Sequence, residues 1–108
     1  MAQTLLNAAT TTGLGPEWQE RDTNANSTYV FHSFQAVGST TAGAGAATVL
    51  IEVSNDGVNY LTMATITLTL ATAAATDGLA VINNWNYYRA NLTALSGTGA
   101  SVSVYMKG

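Results

Sequence analysis

The chain has 108 residues and no cysteine, which allows one domain with a modest core and neither a disulfide nor a thiolate metal site. Charged residues make up 8% of it, the formal net charge is −3, and Arg21, Arg89 and Lys107 are its basic side chains. Nucleic-acid binding and docking on anionic lipid both need a dense cationic stripe, so neither is expected.

An ordinary domain carries about 25% charged residues. Here the polar quota is filled by Thr, Ser, Asn and Gln, with Ala and Gly as small spacers. Hydroxyls and amides lose less on desolvation than ammonium groups do, which suits a protein packed against neighbours. The start, Met1 to Asn7, lacks the cationic and apolar blocks of a signal peptide, and no run approaches the ~18 apolar residues of a membrane span. The expectation is a protein made and assembled in a cytoplasm.

In chain order, residues 1–27 read as an N-terminal arm and loop, and 28–108 as a single β-sandwich domain. Within the arm, Thr4 to Thr12 has the composition of one strand, ended by Gly13-Leu14-Gly15-Pro16. Four of the nine charged residues follow closely, at Glu17, Glu20, Arg21 and Asp22, with Pro16 placed to open a single helical turn. From Tyr29 onward the pattern alternates with period two. Tyr29, Phe31 and Ser33 point one way; Val30, His32, Phe34 and Ala36 point the other. Gly38 to Gly45 reads as a small-residue loop.

Val49, Ile51 and Val53 then share a strand face opposite Leu50 and Glu52. Ser54-Asn55-Asp56-Gly57 is the strongest turn signal, with Gly57 expected at positive φ. Tyr60 to Leu70 predicts a long strand whose threonines, Thr65, Thr67 and Thr69, face water. Ala71 to Ala75 reads as a linker, Asp77-Gly78 as a second turn, and Leu79 to Ile82 as a short strand. Trp85 to Leu95 sets Trp85, Tyr87, Arg89 and Asn91 against Tyr88, Ala90 and Leu92. Ser96-Gly97-Thr98-Gly99 turns the chain into a last strand with Val102, Val104 and Met106 inward. Seven or eight strands without an amphipathic helix predict an all-β fold, a two-layer antiparallel sandwich of jelly-roll or immunoglobulin-like topology.

Catalytic chemistry finds little to work with. His32 is the one histidine, it sits mid-strand, and no serine or carboxylate spacing marks a triad around it. One histidine makes no transition-metal site. Asn55, Asp56 and Asn59 form the only calcium-like loop, and its single carboxylate fits a turn better than a cage. No pair of acidic residues stands out for glycoside hydrolysis, and no glycine-rich run opens a helix to hold phosphate. The expectation is a non-enzyme with no catalytic residues, no metal and no cofactor.

The polar-tipped aromatics are better suited to contact. Trp18, in the charged loop, is the foremost candidate for a partner contact, with Glu17 and Arg21 beside it. Alternation sends Tyr87 and Tyr88 to opposite faces, so one of them faces outward; Tyr88 and Tyr105 complete the candidate set. Rings on one sheet face also suit a carbohydrate-binding module.

Two segments, Ala46 to Tyr60 with its Ser54-Asn55-Asp56-Gly57 turn, and Trp85 to Val102 with its Trp85-Asn86-Tyr87-Tyr88-Arg89 start, resemble small virion proteins of tailed bacteriophages. The similarity covers roughly residues 36–108. The resemblance implies a capsid decoration or cement protein on the virion surface. Its partners would be the major capsid protein and further copies of itself, as a homodimer or homotrimer. A tail, baseplate or fibre position is the alternative within the same resemblance.

Overall fold

Alternation becomes nine strands, with no helix among the described residues, which in this computed structural model are 3–19, 31–83 and 85–107. One sheet has the order β1-β9-β4-β7: β1 (Gln3–Ala9), β9 (Ser101–Lys107), β4 (Phe31–Ser39) and β7 (Ala75–Ile82). The other has the order β2-β8-β5-β6: β2 (Gly13–Leu14), β8 (Tyr87–Thr98), β5 (Ala42–Ser54) and β6 (Leu61–Leu70), with β3 (Trp18–Gln19) also on β8. Every pairing is antiparallel. With β2 and β3 counted as one interrupted strand, each connection crosses to the opposite sheet except the β5–β6 hairpin. That winding is a jelly roll, the first of the two topologies the pattern allowed.

Between the sheets lies one apolar core. Phe34 and Ala36 of β4, Val49, Ile51 and Val53 of β5, Ile66, Leu68 and Leu70 of β6, and Val102, Val104 and Met106 of β9 are all buried. The threonines of β6 are exposed, as their parity predicts. Each fully buried aliphatic side chain contributes about 1.5–3 kcal/mol, which in a chain without cross-links makes this packing the main source of stability.

The largest departure from expectation is at the N-terminus. Of the segment read as an arm, residues 3–19 are built into both sheets, and residues 20–27 lie outside the described residues. β1 pairs with β9, and Leu5 and Leu6 are both buried. Consecutive buried residues break the alternation because β1 carries two bulges, between Thr4 and Leu6 and between Leu6 and Ala9, with Ala8 at φ 48°. Bulges of this kind erase the period-two signal. Instead of opening a helical turn, Pro16 divides the edge strand into β2 and β3. From Leu14↔Asn91 to Trp18↔Tyr88 the edge advances four residues while β8 advances three. A residue without an N–H is tolerated on an edge strand at such a bulge.

Three segments read as turns or loops are strand. Gly38 to Gly45 contains the end of β4 and the start of β5, joined at Thr40-Thr41, where the Thr40 hydroxyl donates to the Gly43 carbonyl at 2.6 Å. Asp77-Gly78 lies inside β7, opposite Ala36 and Gln35. Gly78 serves close approach rather than turning, since a Cβ there would stand 2.3 Å from the Phe34 carbonyl oxygen. β8 runs on through Ser96 to Thr98 before the chain reverses. The Gly57 turn agrees with expectation, at φ 75°. Replacing Gly57 by Val is expected to cost about 1–3 kcal/mol, because a β-branched residue is strained there. Its Cβ would also press on the Tyr87 ring, 3.1 Å away. Urea denaturation measures the loss; unchanged stability would mean that the turn relaxes freely.

Candidate docking surface

The five candidate contact residues do not form one patch. Glu17 and Trp18 sit together on the β2–β3 edge, Tyr105 lies on the outside of the opposite sheet, Tyr88 is in the core, and Arg21 is outside the described residues.

Tyr88 corrects the expectation of a contact residue. Of the two adjacent tyrosines, Tyr87 points outward and Tyr88 inward, where it is fully buried. Its hydroxyl donates to Asn83 Oδ1 at 2.7 Å, accepts from the Trp85 N–H at 3.1 Å, and lies 3.3 Å from His32 Nδ1. Its ring packs against those of His32, Phe34 and Trp18, with centroids 4.6, 6.1 and 6.1 Å away. A polar tip that finds such partners can be buried at little penalty. His32, also fully buried, belongs to this packing.

Glu17 is held within the chain. The Tyr60 hydroxyl donates to its carboxylate, and the Arg89 guanidinium lies 3.7 Å over the Tyr60 ring. Arg89 Nε donates to Glu52 Oε1 at 2.7 Å, and Asn91 Nδ2 to Glu52 Oε2 at 3.1 Å. Glu52 and Arg89 are cross-strand neighbours, so register alone brings them together. Burial first, and then the Glu17 carboxylate, push the Tyr60 hydroxyl well above the usual tyrosine range. The cluster clasps the β2–β3 edge and the Ser54–Tyr60 turn to the outside of β5 and β8. One face of Tyr60 is thereby covered by Arg89, and Trp18 is half-buried against Tyr88. These two rings are poorly placed to stack on a sugar.

The Ser54–Tyr60 loop is organised by Asp56. Its Oδ1 accepts from the Ser54 hydroxyl and from the Val58 and Asn59 N–H groups, each at 2.8 Å, and its Oδ2 accepts from Asn59 Nδ2 at 2.8 Å. These bonds, those from Asn59 foremost, hold the Asp56 carboxyl well below its ordinary value of 3.8. A depressed carboxyl stabilises the fold above that ordinary value, and the contribution disappears as the pH falls toward the lower folded value. Thermal melts followed across the acid range are expected to show a steeper decline for the wild type than for Asp56→Asn; equal slopes would contradict this. Among the described residues no group of three His, Cys, Asp or Glu side chains converges on a point where a metal could sit.

The outside of β1-β9-β4-β7 is a surface poor in charge. β4 presents Phe31, Ser33, Gln35 and Val37; β7 presents Thr76, Ala80 and Ile82; β9 presents Ser101, Ser103, Tyr105 and Lys107. Lys107 is the one charged side chain that the described strands place on this face. Ser33, Gln35, Tyr105 and Lys107 line a shallow depression of about 240 Å³. Phe31 and Ile82 are direct cross-strand partners, yet 64% and 59% exposed, an apolar pair without cover from the described residues. The sequence reading put Phe31 on the correct face without marking it as a contact. The available signal was that Phe34 takes the inward parity, leaving Phe31 outside.

The chain matches no protein-family model and no curated protein sequence. In fold it is similar to the crystal structure of the PBSX exported protein XepA, with a TM-score of 0.55 and 16% sequence identity over 98% of this chain. The chain spans about a third of that protein, covering 36% of its length, and the likeness is one of fold.

Proposed function

We propose that the chain is a structural component of a tailed-bacteriophage particle, of the capsid decoration or cement type, without catalytic activity. The observation that carries this reading is the outer face of β1-β9-β4-β7, a broad sheet of serine, threonine, glutamine and small side chains with Lys107 as its described charge and Phe31, Ile82 and Tyr105 as apolar anchors. Little charge has to be desolvated when such a face is covered, and aromatic anchors are where interface energy concentrates. Two further points support it: the virion-protein resemblance of Ala46 to Tyr60 and Trp85 to Val102, and the sharing of a fold with the PBSX exported protein XepA. In this role the chain sits on the capsid surface against the major capsid protein.

The test is to add purified protein to undecorated capsids and follow their thermal disruption. Bound protein is expected to raise the disruption temperature. Ser33→Glu with Gln35→Glu, two exposed substitutions that leave the core untouched, is expected to remove the effect. Absence of binding by the wild type would exclude the capsid role.

A further inference from the structure

The two sheets have four edges, and three of them carry features that hinder pairing with another strand. β1 has two bulges and the positive-φ Ala8. The β2–β3 edge is broken at Pro16. β7 carries the charged, exposed Asp77 on its core-side parity, opposite buried Ala36, with its Oδ1 accepting from the Gly78 N–H. Bulges, prolines and inward-pointing charges are the devices by which sheet proteins keep their edges from joining.

β6 is the exception. Its one irregularity is the extra residue at Met63, near its start. From there Ala64-Thr65-Ile66-Thr67-Leu68-Thr69-Leu70 runs as an unbroken strand, paired on one side with β5, without a charge, proline or glycine. No hydrogen bond from a described residue reaches the backbone of its other side. At about 3.4 Å per residue it offers roughly 24 Å of free backbone donors and acceptors.

We propose that this edge is the contact through which two copies of the chain join, β6 antiparallel to β6 about a two-fold axis centred on Thr67. The sequence of the strand is complementary to itself in that register. Thr67 meets its own symmetry mate and Thr65 meets Thr69 of the second copy, so threonine faces threonine along the whole wet side. On the inner side Ile66 meets Leu68 and Ala64 meets Leu70. Threonine pairs are favourable across antiparallel strands, and no like charges are brought together. The other three edges are hindered, so β6 has its own copy as its matching edge, and an isologous two-fold contact is the closed solution. The inference names the partner surface for self-association within the structural role proposed above, but its observations are independent of the capsid.

Sedimentation velocity on the full chain tests it. The wild type is expected to show a concentration-dependent dimer. Thr67→Lys, on an exposed position, is expected to keep the wild-type circular dichroism and to weaken the dimer about tenfold, since it puts like charges opposite one another on an edge. Mixing Thr67→Lys with Thr67→Glu is expected to restore a heterodimer. A monomeric wild type, or a Thr67→Lys dimer as tight as wild type, would overturn the proposal. If the wild type is monomeric yet decorates capsids, the β6 contact fails and the capsid role stands. If it dimerises through β6 and binds no capsid, the reverse holds.

Discussion

Removing residues 1–9 is expected to abolish the folded state of the isolated chain. β1 is the edge of its sheet, and Leu5 and Leu6 pass under it into the core. Two buried leucines contribute about 1.5–3 kcal/mol each, and their loss also uncovers the ladder partners Val104 and Met106. A domain of this size has a total of only about 5–15 kcal/mol to lose. The truncated chain should therefore lack the cooperative thermal transition of the wild type in circular dichroism. A milder variant gives a graded answer: Leu5→Ala should lower stability by about 2–5 kcal/mol through the cavity it leaves. If the truncated chain melts at the wild-type temperature, residues 1–9 are a dispensable arm.

Tyr88 is the second position where a large effect is expected. Tyr88→Phe keeps the ring among His32, Phe34 and Trp18 but leaves Asn83 Oδ1 and the Trp85 N–H without the hydroxyl that joins them. Asn83 and Trp85 are half-buried, so the loss is expected near the lower end of the range of about 1–3 kcal/mol that a fully buried unpaired group costs. Tyr88→Ala also removes the ring and should cost about 3–5 kcal/mol. Urea denaturation of both variants separates the two contributions, and tryptophan fluorescence should report the altered contact with Trp18. Equal stability of Tyr88→Phe and wild type would mean that the hydroxyl network adds nothing.

These two positions also show what was legible in the sequence. Strict alternation sorted the two faces of β4, β5, β8, β9 and of β6 from Ala64 onward correctly, because each of those strands is buried on one side only, but the bulge at Met63 puts Thr62 on the opposite face from the one alternation gave it. It failed where the ladder is irregular. The bulges of β1 place Leu5 and Leu6 side by side in the core, so no period-two pattern announces a strand there. Glycine misled twice for a common reason. Both lie inside strands: Gly78 serves close approach, where a Cβ would meet the Phe34 carbonyl oxygen at 2.3 Å, and Gly97 holds φ 115° within β8, and composition does not distinguish these from turn glycines.

The surface was less legible than the core for a similar reason. Alternation shows that Tyr87 and Tyr88 oppose one another but not which of them is inside; the nearby Asn83 and Trp85 and the distant His32 decide it. The clasp joins three parts of the chain distant in sequence: Glu17, the β5–β6 hairpin with Glu52 and Tyr60, and Arg89. The flat outer face of β1-β9-β4-β7 likewise emerges only when β4, β7 and β9 are laid side by side. What the composition did convey was that this surface would be poor in charge.

Cryo-electron imaging of intact phage particles carrying the labelled protein tests the structural role most directly. The account predicts regularly spaced density of jelly-roll size on the outside of the capsid shell, seated on the coat subunits. Label found only on the tail, or absent from purified particles, would contradict it.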